Sequence, residues 1–185
     1  MDRISIGQRH ANMAAIHSLD TKPEMVVRKW LWNHGFRYRL NHCYLPGKPD
    51  IVMRKYKTCI FVNGCFWHGH KVAFNDEGII SSTCCRIPKT NTEFWVKKIA
   101  RNQERDLEVK HKLNAMGWNC ITVWECELKP AKREATLQSL AFTLNEIFLN
   151  NNRVKPYKEQ EDQQMMAAES ASKYGIKTQN KVYHQ

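Results

Sequence analysis

The chain has 185 residues, enough for one domain with a real core and a modest appendage. Lys and Arg outnumber Asp and Glu by 29 to 18, and the formal charge of +11 indicates a polyanionic partner, nucleic acid before anionic membrane. No run of about 20 apolar residues is present, and the N-terminal MDRISIGQRH lacks the apolar segment of a signal peptide. We therefore expect a cytoplasmic, nucleoid-associated protein, with no membrane contact and with its seven cysteines reduced.

The first third of the chain predicts an arm and a helix, followed by a strand. Residues 1–20 are basic and weakly apolar, which predicts an N-terminal arm that contacts DNA. Thr21 and Glu24 have the spacing of a capping box, with Pro23 in the first turn, and Gly35 is placed to end the helix. Residues 36–40 alternate between apolar and polar, as in a strand with one buried face.

The middle of the chain predicts a hairpin, a long loop and a helix. Residues 50–53 and 58–62 are short apolar runs joined by a basic turn, the pattern of two buried strands. A loop rich in Cys, His, Gly and aromatic residues is predicted over 63–90. A second capping box, Thr90 to Glu93, opens a helix that runs to Met116.

The last third predicts a strand at 119–124 and an amphipathic helix with an apolar stripe at Leu137, Leu140, Ala141, Leu144 and Phe148. The composition turns polar over 150–185, which predicts a tail after a packed domain at 21–149. The order helix, three strands, helix, strand, helix predicts an α/β sandwich around a mixed sheet.

Asp50 opens a buried strand directly after the turn at 45–49. An unpaired carboxylate is costly to bury, so it must face solvent, a cation or a partner. One interpretation is a capping role within its own turn. The other is a ligand for Mg²⁺, a cation that prefers oxygen donors.

The segment 62–70 (VNGCFWHGH) places two histidines and a cysteine within six residues. Cys65 and His70 together are donors that zinc favours, and a further ligand can come from either Cys84 or Cys85 and another from Cys126. A Cys₃His zinc site would stabilise a loop that has little core of its own.

If zinc takes His70, His68 stays available beside Asp50 as a general base that activates water. Asp106 lies on one helix face with Ile99 and Asn102, and it is either a supporting acid or a solvated residue near Arg105. Phe66 and Trp67, on a glycine-flanked loop of a basic protein, indicate stacking on bases or wedging between base steps.

These residues together resemble the very-short-patch repair (Vsr-type) mismatch endonucleases over about residues 8–150. The matching segments, in family order, are LPGKPDIV at 45–52, CIFVNGCFWHGH at 59–70, PKTNTEFW at 88–95, NQERD at 102–106 and VWEC at 123–126. The resemblance implies a restriction-endonuclease-like fold with a structural zinc. It also implies Mg²⁺-dependent nicking of one strand at T:G mismatches, which arise when 5-methylcytosine deaminates. The partners implied are mismatched duplex DNA and other mismatch-repair proteins, and we expect a monomer.

By motif position, the resemblance implies that Asp50 and the main-chain carbonyl of Val62 bind Mg²⁺ and that His68 is the general base. Glu24 and Asp106 are supporting acids in this comparison, and Asn63, which stands where a His is frequent, is grouped with them. The residues implied to enter or contact DNA are Phe66, Trp67, Trp95, Lys48, Lys89 and Asn91. The implied zinc ligands are Cys65, His70, Cys126 and Cys85 or Cys84, with Cys85 preferred because it is nearer Pro88.

Two other functions fit the same residues. A restriction-like nuclease would use the fold on another DNA target, and it would cut duplexes without a mismatch. A zinc-stabilised DNA-binding module would lack catalysis, and substitution of Asp50 or His68 would leave its role intact.

Overall fold

The computed structural model describes residues 5, 7–8, 11, 19–40, 42–75, 78–85, 88 and 91–153. The chain divides into two compact units, residues 1–151 and residues 152–185. The predicted N-terminal arm and the predicted polar tail lie almost entirely outside the described residues. Among the helices that are described, none combines the length and apolar character needed to cross a bilayer.

Among the described residues, five strands follow the α-helix Lys22–Asn33 before the next α-helix begins. In order, the regular elements are α1 (Lys22–Asn33), β1 (Arg39–Leu40), β2 (Ile51–Met53), β3 (Thr58–Asn63), β4 (Val72–Asn75), β5 (Gly78–Ser82), α2 (Thr92–Ala115), β6 (Asn119–Trp124) and α3 (Pro130–Asn151). Short 3₁₀ helices follow β2 at Arg54–Tyr56 and β6 at Glu125–Leu128.

The main sheet has four strands in the order β1-β2-β3-β6. The pairs β1–β2 and β2–β3 are antiparallel, and β3 and β6 are parallel with Cys59 opposite Cys120 and Asn63 opposite Trp124. The predicted mixed sheet with flanking helices is therefore confirmed. Because β3 and β6 are parallel, their carboxyl ends meet at one edge of the sheet, and the candidate site is built at that edge.

The sheet is covered on both faces, as the alternation of side chains along each strand requires. One face packs on α1 and α3, through the apolar cluster Val27, Leu31, Phe36, Ile51, Met53, Ile60, Val123, Leu128, Leu137, Leu140 and Leu144. The other face packs on α2, through Leu45, Val52, Cys59 and Leu113. The predicted stripe on the last helix is thus the surface that α3 buries.

Helix α1 begins as the sequence predicts, with Thr21 as N-cap and Pro23 in the first turn. The Thr21 hydroxyl accepts from the Glu24 amide at 3.5 Å and donates to the Glu24 carboxylate at 2.8 Å. One oxygen of the Glu24 carboxylate therefore bonds to the capping hydroxyl, and the other accepts from Arg28.

Three predicted elements differ in the structure. The predicted loop 63–90 contains an antiparallel hairpin, β4–β5, since the apolar runs on either side of Asn75 and Gly78 are long enough to pair. Helix α2 starts at Thr92 with Asn91 as N-cap in the left-handed region, and Glu93 bonds to Lys97 at 2.6 Å instead of closing a capping box. Of residues 36–40, only Arg39–Leu40 pair as a strand, and Leu40 is exposed because β1 is a sheet edge.

Candidate active site and metal cluster

Asp50 stands immediately before β2, and its Oδ2 accepts the main-chain N–H of Val62 at 2.7 Å. This bond ties the carboxylate to the carboxyl end of β3. Burial raises the pKa of Asp50 above its ordinary value, and the Glu24 charge adds to the rise, against lowering by the Val62 hydrogen bond and by the charges of Arg28 and His68. Asp50 is thus a half-buried acid within electrostatic reach of both Glu24 and His68.

Glu24 is a buried acid with a cation of its own. Its Oε2 accepts from the guanidinium of Arg28 at 2.8 Å, one helical turn away, and both side chains are 4% exposed. The same guanidinium also bonds to Asp20, which is exposed. Sequence reasoning missed Arg28, although its i,i+4 spacing from Glu24 was a readable signal.

His68 and Asp106 form the second part of the site. The Nδ1 of His68 lies 2.5 Å from Oδ2 of Asp106, and both side chains are about a quarter exposed, at 23% and 24%. Burial raises the pKa of Asp106, but the His68 hydrogen bond and the charges of His68 and Arg105 outweigh it, so the pKa falls below its ordinary value. An ionised Asp106 accepts a hydrogen bond from the Nδ1–H of His68, and in that tautomer Nε2 carries the lone pair.

The loop that carries His68 is fixed from α2. Asn102 donates to the main-chain oxygen of Trp67 at 2.7 Å, and Gln103 donates to that of Gly69 at 3.0 Å. Gly69 has a φ of +64°, and a Cβ there would lie 2.6 Å from Ile99. Only glycine therefore lets the loop lie this close to the helix.

Four soft donors converge beside this loop. The ligand atoms of Cys65, His70, Cys84 and Cys126 all lie within 4.8 Å of one another. Nδ1 of His70 is 3.6 Å from the sulfurs of Cys65 and Cys84 and 3.4 Å from that of Cys126. The imidazole also stacks on Trp124, with ring centroids 4.0 Å apart and planes 4° from parallel.

The chemistry of this cluster fits a divalent metal ion. Burial raises the pKa of Cys65 to about 12, and the neighbouring Cys126 and Cys84 thiols contribute to the rise. Crowded thiols resist ionisation unless a cation compensates them, and a bound ion reverses that preference. Burial lowers the pKa of His70, which favours the neutral imidazole that metal binding requires. Three sulfurs and one nitrogen are the donor set that zinc prefers.

The structure brings Cys84, and not the preferred Cys85, into the cluster. The Cys85 sulfur lies 3.1 Å from the Ser82 hydroxyl instead. The reason is the β4–β5 hairpin, which returns the chain to His70 at Ser82, so that Cys84 meets His70 first. The expectation based on closeness to Pro88 did not include this hairpin.

Aromatic side chains from the loop that carries His68 and from the start of α2 form a group. The rings of Phe66, Trp67 and Trp95 are in mutual contact, with centroids 4.9 to 6.1 Å apart. Phe94 adds an exposed ring 5.1 Å from Trp95. Phe66, Trp67 and Trp95 are half-exposed, and the group can offer faces for stacking.

The remaining predicted residues have simpler surroundings. Asn63 is buried at the end of β3. Lys48 is exposed in the turn before Asp50, with a φ of +48°, and Asn91 is exposed at the start of α2, with a φ of +54°. Lys89 lies outside the described residues.

Known proteins resemble this chain over the same region. The family model described as DNA mismatch endonuclease Vsr matches residues 1–74, which include Glu24, Asp50 and the loop to His70. A type II nicking enzyme of Neisseria meningitidis serogroup A is 48% identical over 128 residues, covering 69% of this chain and 84% of that enzyme. A type II nicking enzyme of Xanthomonas oryzae is 40% identical over 130 residues, covering 69% and 86%. DNA mismatch endonuclease Vsr of Escherichia coli is 36% identical over 138 residues, covering 75% and 81%.

Proposed function

The chain belongs to the Vsr family of DNA mismatch endonucleases, and from this we propose that it nicks one strand of duplex DNA at a T:G mismatch. The reaction would serve very short patch repair after deamination of 5-methylcytosine, in the cytoplasm, on chromosomal DNA. The observation that carries the proposal is the His68–Asp106 pair beside the half-buried Asp50. An oriented imidazole next to an acid suited to a cation is what phosphodiester hydrolysis requires.

Mg²⁺ would be held by the carboxylate of Asp50 and the carbonyl of Val62. The N–H and C=O of one strand residue point to the same neighbouring strand. Since the Val62 N–H reaches Asp50, its carbonyl faces the same side. Bound there, the ion supplies charge neutralisation at the scissile phosphate.

In the proposed reaction, Nε2 of His68 accepts a proton from the attacking water. Asp106 keeps the imidazole in the required tautomer and stabilises the imidazolium that forms. Glu24 stays bonded to Arg28 and Thr21, so we assign it a supporting electrostatic role toward Asp50 and not a proton-transfer role.

The other predicted groups take supporting roles in a restriction-endonuclease-like domain. Zinc in the Cys₃His cluster would hold the loop that carries His68. Phe66, Trp67 and Trp95 would enter the base stack at the mismatch, where unpaired geometry lowers the cost of unstacking. Lys48, Lys89 and Asn91 would contact the DNA around them, and a single copy of the chain would suffice.

The test is incubation of purified protein with end-labelled duplexes that differ in one base pair, T:G against T:A and C:G. We expect a single nick in the T:G duplex in the presence of Mg²⁺ and none when Mg²⁺ is omitted. Equal cleavage of matched duplexes would replace the proposal with a restriction-like nuclease. Binding without cleavage under any of these conditions would replace it with a zinc-stabilised DNA-binding module.

Asp50→Asn tests the proposed metal ligand with little change to the fold, because an asparagine oxygen can still accept the Val62 N–H. This variant should bind the T:G duplex with nearly normal affinity and lose cleavage by about 1,000-fold or more. Glu104→Gln, an exposed change on α2, should leave the rate unchanged.

A further inference from the structure

A cavity lies next to the candidate site, beside the 3₁₀ helix that follows the carboxyl end of β6. It measures about 220 Å³ and lies between the start of α1, the 3₁₀ helix Glu125–Leu128 and the start of α3. Its lining includes three cationic side chains, those of Lys22, Lys129 and Arg133. A water molecule occupies roughly 30 Å³ of liquid, so the cavity has room for a tetrahedral oxyanion with part of its hydration.

The cations of this cavity outnumber the acids in its lining by three to one, since Glu125 is the one acid among the described residues that line it. Within the part of the chain that the structure describes, none of Lys22, Lys129 and Arg133 is in an ion pair. Arg133 is oriented by its Nε, which donates to the Leu128 carbonyl at 3.0 Å. Three cations around one cavity repel one another, and an anion in the cavity relieves that repulsion.

Glu125, the acid that lines the cavity, extends toward the loop that carries His68. Oε2 of Glu125 is 3.7 Å from the position that a Cβ on Gly64 would occupy. Gly64 is followed by Cys65 of the metal cluster, and Lys22 precedes Glu24 by two residues. The cavity therefore borders the candidate active site, where a duplex positioned for nicking has to continue its backbone.

We propose that this cavity binds one backbone phosphate of the DNA substrate, outside the scissile position. The inference rests on the proposed DNA substrate. A backbone phosphate contact of this kind fixes the register of the protein on the duplex without reading sequence. The first turns of α1 and α3 also line the cavity, so their positive dipole ends add to the side-chain charges.

The experiment measures affinity for a fluorescein-labelled T:G duplex without added Mg²⁺, where no cleavage is expected, over a range of salt concentrations. The variants are Lys22→Ala, Lys129→Ala and their double, and the matched control is Lys132→Ala, an exposed lysine of α3 that does not line the cavity. We expect the double variant to bind about 10-fold more weakly near 0.1 M salt and to lose about one unit of the slope of log K against log[salt]. An affinity and slope equal to those of Lys132→Ala would overturn the proposal.

A second measurement distinguishes binding of one phosphate in this cavity from general electrostatic attraction to the duplex. A set of duplexes, each with one uncharged methylphosphonate linkage, is titrated with the wild type and with the double variant. At one linkage position the two proteins should bind equally, because the phosphate that the cavity recognises is already neutral. A uniform defect at every position would overturn the proposal. Since neither measurement depends on cleavage, a protein that fails to nick T:G duplexes would sink the proposed function and leave this result standing.

Discussion

His68 and Asp106 lie 38 positions apart in sequence, yet a ring nitrogen of one is 2.5 Å from a carboxylate oxygen of the other. The loop after β3 supplies the imidazole and the middle of α2 supplies the acid. The contact depends on the hydrogen bonds that Asn102 and Gln103 make to the loop. Helix α2 is therefore part of the candidate active site as well as a cover for the sheet.

Asp106→Asn should slow nicking of a T:G duplex by about 100- to 10,000-fold. The asparagine amide can donate to Nδ1, which moves the imidazole proton to Nε2 and removes the base. Single-turnover rates at saturating protein measure the effect without a contribution from binding. Glu108→Gln, which disturbs only an exposed pair with Lys112, should react at the wild-type rate. A rate for Asp106→Asn within a few fold of the wild type would exclude the pairing as a catalytic feature.

Cys84→Ser should lose bound zinc, and Cys85→Ser should keep it. Of these two cysteines, only Cys84 has its sulfur among the four converging donors. A serine hydroxyl is a poor replacement for a thiolate. Metal content by mass spectrometry and the melting temperature report the result, and we expect a lower melting temperature for Cys84→Ser alone. The opposite pattern would show that Cys85 is the ligand.

Trp95→Ala should weaken binding to a T:G duplex, measured without added Mg²⁺, by about 5- to 150-fold, the equivalent of one lost base–aromatic contact. Trp95 is in contact with both Phe66 and Trp67, so its removal also loosens the remaining rings. Fluorescence anisotropy measures the affinity. Phe142→Ala, which removes an exposed ring from α3, is the control and should bind normally. Equal affinities for the two variants would contradict a stacking role.

Gly47→Ala should destabilise the fold more than Gly117→Ala does. Both glycines have a positive φ, at +72° and +77°, so both changes carry backbone strain of about 1–2 kcal/mol. At position 47 the added Cβ would also lie 2.4 Å from a Val109 methyl carbon, whereas nothing lies within 4 Å at position 117. We expect a further loss of about 1–3 kcal/mol in the free energy of unfolding, measured with urea. Recovery of part of it in Gly47→Ala/Val109→Ala would identify the contact.

Arg28→Met should lower the free energy of unfolding by about 3–5 kcal/mol, because it leaves the buried carboxylate of Glu24 without its cation. The double variant Glu24→Gln/Arg28→Met should be more stable than Arg28→Met alone, since no charge is then left buried. Urea unfolding at neutral pH measures both. A double variant with the summed loss of the two single variants would show that the pair is not energetically coupled.

Local signals in the sequence were sufficient for much of the fold. Thr21 caps α1 as predicted, and the stripe Leu137, Leu140 and Leu144 is buried, because both features depend on residues within a few positions of each other. The short apolar runs correctly predicted β2, β3 and β6. The roles assigned to individual site residues came from motif resemblance and remain proposals.

The differences arise where distant segments decide the outcome. The i,i+4 spacing of Glu24 and Arg28 indicated a pair, but the burial that makes this pair important comes from the rest of the fold. The pairing of β4 with β5 competed with a sequence composition typical of loops. The choice between Cys84 and Cys85 depends on where that hairpin returns the chain. Adjacent residues of the same type carry no local signal that separates them.

The β4–β5 hairpin leaves the Cys/His cluster at His70 and comes back to it at Ser82, where the serine hydroxyl lies 3.5 Å from the His70 carbonyl. Because an antiparallel pair returns to its origin whatever its length, residues added at the tip do not change the separation of the two ligands at its base. The length of β4 and β5 and the geometry of the Cys/His cluster are therefore independent of each other.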